Sequence, residues 1–358
     1  MVKKALCVHQ LLGFAGSFIC GAENISNVWE FLFRFLFCIF AVGFFLNLFM
    51  SNNTTTTVSI FQRRGWVALF ALTAAVSWGW AYPLIKLGFD EFGITPEMTA
   101  SKMLFAGVRF TLSGLIVLAI ASVKGVSLRV NGASGWWYLL GYALLNTTVH
   151  YAFFYIGLSH SEGARAAILN SLGVFMLVLL ACLFFKSDKL TPMKIVGCVV
   201  GFAGILVLNV GGGAGSDFTF MGDGMIILNA MCSAFAGLMT RGLSARADVF
   251  AATGYSLAIG GVLLVLPGVM LGGVLPSVTF EGVGILFLLI CISTLGFALY
   301  NKLLSCNPVG KVAIFNSLIP VVGAVTSCLC LSEPFYWKYL FAALLAMAGI
   351  YITNSRKG

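Results

Sequence analysis

The sequence predicts an all-α polytopic membrane protein of ten transmembrane helices, arranged as two inverted five-helix repeats, with material for one extra N-terminal helix. Three observations carry this. Of 358 residues, 60% are hydrophobic and 9% charged, against about a quarter charged in an ordinary soluble domain. Continuous apolar runs recur along the chain at about the 20-residue length that a roughly 30 Å hydrocarbon core requires. The chain also repeats itself at a shift of 146 positions. Lipid offers the backbone no hydrogen-bond partners, so such runs form helices or a closed barrel; unbroken apolar stretches fit helices and not alternating strands.

Residues 1–65 form an N-terminal extension. Its basic start (Lys3, Lys4) and the run Leu11–Cys20 resemble a targeting segment, but a second apolar run over 28–49 follows, with Glu30 and Arg34 near its start. That run is either an eleventh helix or a stretch preceding a true start at Met50. The first repeat, 66–211, places spans over 66–87, 102–122, 136–157, 164–185 and 193–210. The second, 222–354, places them over 223–242, 249–270, 282–303, 310–331 and 335–353.

A net charge of +9 would suggest nucleic acid for a soluble protein. Here the cations sit in short loops and report topology, so no nucleic-acid partner is expected. With the first core helix entering after Arg63 and Arg64, one side collects Lys124, Arg129, Lys186, Lys189, Lys194, Arg241, Arg246, Lys302, Lys311, Arg356 and Lys357. The other holds Lys102, Arg165 and Lys338 with the carboxylates Asp90, Glu91, Glu97, Glu162, Asp217, Asp223, Glu281 and Glu333. The positive-inside rule makes both ends of the core cytoplasmic, in a plasma-membrane protein. The ten cysteines lie almost entirely within apolar runs without metal-ligand spacing, so no metal site or disulfide framework is expected.

The repeat aligns residues 138–172 with 284–318 without a gap. Ala167-Ile-Leu-Asn-Ser-Leu172 falls on Ala313-Ile-Phe-Asn-Ser-Leu318, and Thr148, Ala152, Leu158 and Ser159 fall on Thr294, Ala298, Leu304 and Ser305. An odd number of spans per repeat inverts the second half relative to the first. Secondary transporters use this architecture to expose one midplane site to either side in turn.

With the opening helix Ser77-Trp-Gly-Trp-Ala-Tyr-Pro83, Arg109 in Phe105-Ala-Gly-Val-Arg-Phe110, and Asn316-Ser-Leu-Ile-Pro-Val321 leading to Leu331-Ser-Glu333, residues 66–354 resemble the EamA-type branch of the drug/metabolite transporter superfamily. The resemblance implies movement of small metabolites without ATP, cofactor or catalysis. It also implies a proline in the fourth helix, where this chain reads Leu172-Gly-Val-Phe175, and an acidic residue ending that helix, displaced here to Asp188.

Candidate cavity residues follow from what apolar spans tolerate. An arginine within a span faces a cavity, a partner or an interface, so Arg109 is either a bundle-interior residue or snorkels to the headgroups. The third helix is the most polar, with Asn146, Thr147, Thr148, His150, Tyr151 and Tyr155; Asn146 and His150, four apart, share a face. Asn170 and Asn316 are repeat-related and suit hydrogen bonds between the halves, as does Thr294, opposite Thr148. Pro320 removes a backbone donor and should kink helix nine. Trp78, Trp80 and Tyr82, with Tyr255 and Tyr300, are candidate aromatic lining. The spaced pairs Gly197/Gly201 and Ala342/Ala346 read as close helix packing, and Thr191-Pro192 and Glu333-Pro334 as helix starts.

The sequence contains no GxxxxGK[ST] phosphate loop, and no Asp or Glu in the middle of a core span. The first disfavours ATP coupling and the second a cation-drug pump. The Asn, Thr, Tyr and Trp inventory suits neutral or zwitterionic solutes, amino acids foremost, moved outward by alternating access. A multidrug or cation exporter and a membrane-embedded enzyme remain the alternatives, the latter lacking a converging catalytic set. The expected partners are a small metabolite and the bilayer; a homodimer stays open.

Overall fold

The computed structural model describes residues 60–185, 189–208, 217–243, 245–307, 312–331, 333–334 and 336–354. All belong to the compact unit Thr54–Gly358. The extension up to residue 59, and with it the choice between an eleventh helix and a start at Met50, lies outside them, as do Asp188 and Lys311.

The described residues are helical, with a single isolated β-bridge, Val130 to Ala247, and no strand. In chain order the helices are α1 (Arg64–Glu91), α2 (Thr99–Val123), α3 (132–159), α4 (Gly163–Phe184), α5 (Pro192–Val207), α6 (Met225–Leu243), α7 (Val249–Met270), α8 (Phe280–Cys306), α9 (Ile314–Cys330) and α10 (Trp337–Asn354). They lie where the apolar runs predict helix, with ends shifted by a few residues. Among the described residues six are long and apolar enough to cross a membrane: α1, α2, α4, α7, α8 and the segment Phe220–Thr240 containing most of α6. The apolar helices α5 and α9 are shorter.

Local chemistry sets the boundaries. Thr191 accepts a hydrogen bond from the Lys194 N–H at 3.4 Å ahead of Pro192, starting α5 as expected. Asp248 caps α7 through the Phe250 N–H at 2.8 Å. Gly125 ends α2 with φ +66°, which lets the Val126 N–H reach the Ala121 carbonyl at 2.9 Å. Glu333 does not start α10, which begins at Trp337. Its carboxylate instead accepts the N–H groups of Gly163 at 2.8 Å and Ala164 at 3.2 Å, at the N-terminus of α4.

Two seams of small residues hold α2 against α7 and α5 against α10, each pair antiparallel. Along α2 and α7, Gly107 lies against Gly261 and Gly114 against Gly254; a Cβ at Gly114 would stand 2.2 Å from the Ala258 nitrogen. Along α5 and α10, Gly197 meets Gly349 and Thr353, and Gly204 meets Ala342. Small residues let backbones approach where lipid supplies no hydrophobic drive between helices.

Polar residues gather at both ends of the bundle. At one end Lys86 of α1 donates to Glu333 at 2.8 Å and to the Ser161 carbonyl at 3.0 Å. The Tyr339 hydroxyl donates to Glu162. Arg165 holds Asp223 in a two-pronged pair, both bonds 2.8 Å. Asp223 was read from sequence as a loop carboxylate, but it is buried in a π-turn, Phe220–Gly224, that leads into α6. Lys102, likewise read as a loop cation, is buried with its ammonium on the Pro96 carbonyl and Ser159. Burial is tolerable in each case because a partner replaces lost water. At the other end the Arg246 guanidinium lies 4.1 Å over the Tyr138 ring.

Candidate functional site

Arg109, in the middle of α2, is 3% exposed. Its Nε donates to Ser293 Oγ at 2.9 Å and the Leu289 carbonyl at 3.2 Å, both on α8, and its Nη1 donates to the Tyr155 hydroxyl of α3 at 2.8 Å. The interior placement is therefore the one adopted, and it ties three helices. Ser293 is a partner the sequence did not reveal, because a serine in an apolar run carries no signal of its contact.

Helix α3 changes from α to π over Leu144–Val149 and returns to α at His150. Such bulges turn carbonyls and side chains off the regular ladder and cluster at functional sites. Here the bulge carries Asn146, Thr147 and Thr148. Asn146 and Thr147 meet Ser256 of α7 at 3.3 and 3.2 Å, and Thr148 donates to the Gly260 carbonyl at 3.0 Å. Asn146 and its neighbours thus dock α3 on α7. His150 lies edge-on to Tyr151 at 4.5 Å, and Tyr151 stacks on Phe110 at 4.0 Å.

Helices α4 and α9 are interrupted at related positions. In α4 the turn falls at Ser171, whose hydroxyl donates to the Ile168 carbonyl at 2.6 Å. In α9 a 3-10 turn, Ile314–Leu318, precedes the α segment, and Ser317 donates to the Ile314 carbonyl at 2.7 Å. The asparagine before each serine donates to a tyrosine hydroxyl at 2.8 Å: Asn170 to Tyr82 of α1, and Asn316 to Tyr300 of α8. A serine bonded to its i−3 carbonyl favours the tighter 3-10 turn over the α ladder. Pro320 follows directly on this turn, where its missing N–H and its ring oppose an α bond to the Asn316 carbonyl, and it occupies the first turn of the α segment that resumes. The break in α4 forms without any proline, and the Asn-Ser pair is the feature the two breaks share.

The aromatic candidates divide. Trp78 packs edge-on to Tyr300 at 5.1 Å and on Phe297 at 5.5 Å, and Tyr82, one turn further along, meets Phe154 at 5.4 Å. Trp80 stands about 200° round α1 from Trp78, on another face. Tyr255 sits apart, its hydroxyl on the Leu128 carbonyl at 3.1 Å and its ring against Trp136, in an apolar cluster with Val130 and Leu139.

Asn229 of α6 completes the set. It is fully buried, and its Nδ2 donates to Asn170 Oδ1 at 2.6 Å. Sequence reasoning passed over it, although a lone asparagine in the apolar run 225–238 was the available signal. Among the described residues, buried polar atoms without a hydrogen-bond partner include Trp78 Nε1, His150 Nδ1, Asn229 Oδ1, Thr294 Oγ1 and Asn316 Oδ1. Trp78, His150, Thr294 and Asn316 are sequence-predicted candidates; Asn229, and Thr111 and Ser327 whose hydroxyls are bare in the same way, are not.

A bundle with several membrane-length helices, and polar side chains facing one another inside it, defines a multi-pass membrane protein. The EamA-like transporter family matches residues 65–210 and again 220–355, and the chain belongs to that family. It is 26% identical over 297 residues to the uncharacterized transporter YvbV of Bacillus subtilis, covering 81% of this chain and 92% of that one. It is 23% identical over 296 residues to a probable amino-acid metabolite efflux pump of Escherichia coli, covering 79% and 93%. One solved protein structure shares its fold with a TM-score of 0.59 at 19% identity, over 80% of this chain and 97% of the other.

Proposed function

We propose that the chain is a secondary transporter that exports small neutral or zwitterionic metabolites, amino acids foremost, across the plasma membrane by alternating access. In this reading α1 to α10 all cross the bilayer as two inverted repeats, 66–211 and 222–354, with both ends of the core cytoplasmic. The observation that carries it is the matched break: Asn170-Ser171 and Asn316-Ser317 interrupt corresponding helices with the same hydrogen bonds. Interrupted helices beside a polar interior are what a midplane solute site needs. The antiparallel meeting of α2 with α7 and of α5 with α10 supports the inversion, because corresponding helices of inverted repeats run in opposite directions.

Two halves that can exchange conformations give inward-open and outward-open states of comparable energy. The Lys86–Glu333 contact joins α1 and α4 to the segment before α10, so the end that holds it is taken as the closed one. The solute class rests on the uncharged interior inventory and on relatives named as probable amino-acid metabolite efflux pumps. Trp78, Arg109, Asn146, His150, Tyr151, Asn170, Thr294, Asn316 and Pro320 are assigned to the cavity and its walls; Trp80 and Tyr255 are not.

Liposomes containing the purified chain and loaded with unlabelled neutral amino acids should accumulate the labelled form by counterflow, with or without ATP. Movement of a lipophilic cation against a pH gradient, with no amino acid counterflow, would overturn the solute class. Absence of counterflow for every solute tried would overturn the transport reading.

A further inference from the structure

We infer that the clusters Tyr82–Asn170–Asn229 and Trp78–Tyr300–Asn316 are two binding stations for a small solute carrying a primary ammonium or amide N–H group. The inference rests on the transporter reading and adds the contacts that select the cargo.

Each station is an amide fixed at one end and bare at the other. In the first, the Asn170 Nδ2 donates to the Tyr82 hydroxyl at 2.8 Å and the Asn229 Nδ2 donates to Asn170 Oδ1 at 2.6 Å. The donors all run one way along this chain, and the Asn229 oxygen at its end has no donor although the residue is fully buried. In the second, the Asn316 Nδ2 donates to Tyr300 at 2.8 Å, and the Asn316 oxygen is again buried without a donor. A buried carbonyl left bare loses as much as a broken hydrogen bond, so each such atom calls for a partner. Asn170 and Asn316 are repeat-related, yet their tyrosines come from unrelated helices, α1 and α8. The bare oxygen belongs to Asn229 of α6 in the first station and to Asn316 of α9 in the second, so each station ends in a buried amide oxygen supplied by a different helix.

Charge narrows the cargo. Neither station contains a carboxylate, and Glu162, Glu333 and Asp223 are engaged at the end of the bundle. Arg109 is tied to α8 and Tyr155. A bare cation finds no counterion here. An ammonium balanced by the solute's own carboxylate fits, and the Trp78 indole N–H, also without a partner, is a donor for the acceptor end. Trp78 and Tyr82 lie four residues apart on α1, a rise of about 6 Å. The two stations thus border neighbouring turns of α1.

The test uses the full chain, purified in detergent and also placed in liposomes. The probes are the neutral L-amino acids, their carboxamides (ammonium without carboxylate) and their deaminated acids (carboxylate without ammonium). Amino acids should protect the wild-type chain against thermal unfolding and drive counterflow, and deaminated acids should do neither. Asn316→Asp and Asn229→Asp turn the bare carbonyl into a carboxylate of nearly the same shape. Each should shift the preference at least tenfold from amino acid toward carboxamide. Tyr300→Phe releases the Asn316 amide and should weaken amino-acid protection severalfold while preserving the order of preference. The proposal is overturned if deaminated acids protect as well as amino acids, if no probe protects the wild type, or if a folded Asp variant keeps the wild-type preference. Should both Asp variants unfold, unchanged affinity in Tyr300→Phe overturns it. Wild-type counterflow with unshifted variants removes the stations and leaves transport standing; no counterflow by the wild type removes transport itself.

Discussion

Replacing Glu333 with Ala removes three hydrogen bonds at once: those from Lys86 Nζ at 2.8 Å, the Gly163 N–H at 2.8 Å and the Ala164 N–H at 3.2 Å. Bonds to a charged group contribute about 1.5–3 kcal/mol each when isolated. Here they share one carboxylate and Lys86 keeps the Ser161 carbonyl, so a summed loss of about 2–3 kcal/mol is the reasonable figure. If these contacts exist only while this end is closed, the equilibrium moves toward opening by roughly 30- to 150-fold. The assay is the labelling rate of Ser161→Cys by a membrane-impermeant maleimide, in a chain whose other cysteines are replaced, with and without Glu333→Ala. Labelling should rise by about that factor. The exchange Lys86→Glu with Glu333→Lys should restore little, because a lysine cannot accept the α4 N–H groups and places positive charge at a helix N-terminus. Unchanged labelling in Glu333→Ala would refute the closing role, and full rescue by the exchange would refute the capping argument.

Other expectations follow from the same contacts. Arg165→Met alone leaves Asp223 buried without its partner and should cost about 3–5 kcal/mol, seen as a lowered melting temperature, whereas Arg165→Met with Asp223→Leu should recover most of it. Gly114→Val drives a side chain into the α7 backbone, where even a Cβ would stand 2.2 Å from the Ala258 nitrogen, and should abolish folded protein on size-exclusion chromatography. Gly125→Ala, with open space around it but φ +66°, should cost only about 1 kcal/mol by thermal melting. Ser171→Ala and Ser317→Ala should each slow counterflow without lowering the melting temperature by more than a few degrees, since each removes one local bond of about 1 kcal/mol.

How much of this was legible depends on the range of the interaction. The helices could be placed from residues 64 to 354 because apolar length is a local property of the chain, and the Thr191-Pro192 start was legible for the same reason. Asn170 and Asn316 were legible because the repeat sets them in register. Glu333 was misplaced: a Glu-Pro pair looks like the start of the next helix, and nothing local says that its carboxylate caps α4, 170 positions earlier. Asp223 and Arg165 looked like loop charges because each stands at a span boundary, and it is their mutual pairing, with the Thr219 N–H on Asp223 and the Leu208 carbonyl on Arg165, that makes burial affordable. Pro320 drew attention by its residue type, and helix nine does break just ahead of it; the matching break in α4, which has an Asn-Ser pair and no proline, was not legible in the same way.

The contacts between helices are of two physical kinds, and this constrains how they can rearrange. Along the α2/α7 and α5/α10 seams the contacts are backbone against backbone through glycine, so sliding either pair by one residue brings a Cβ against a main-chain atom. Packed surfaces of this sort have discrete arrangements and do not deform continuously. Around α1, α4 and α9 glycine packing recurs, Gly79 lying against Val322 and Gly323 against Ala167, but it stands beside hydrogen bonds from Lys86, Asn170 and Asn316 that can break without a steric clash. The interrupted helices α4 and α9 are also where fewest α-type backbone bonds resist bending. In the alternating-access reading proposed above, the Asn-Ser breaks weaken these two helices where they would bend, and the break in α9 also holds the bare Asn316 amide oxygen in the interior.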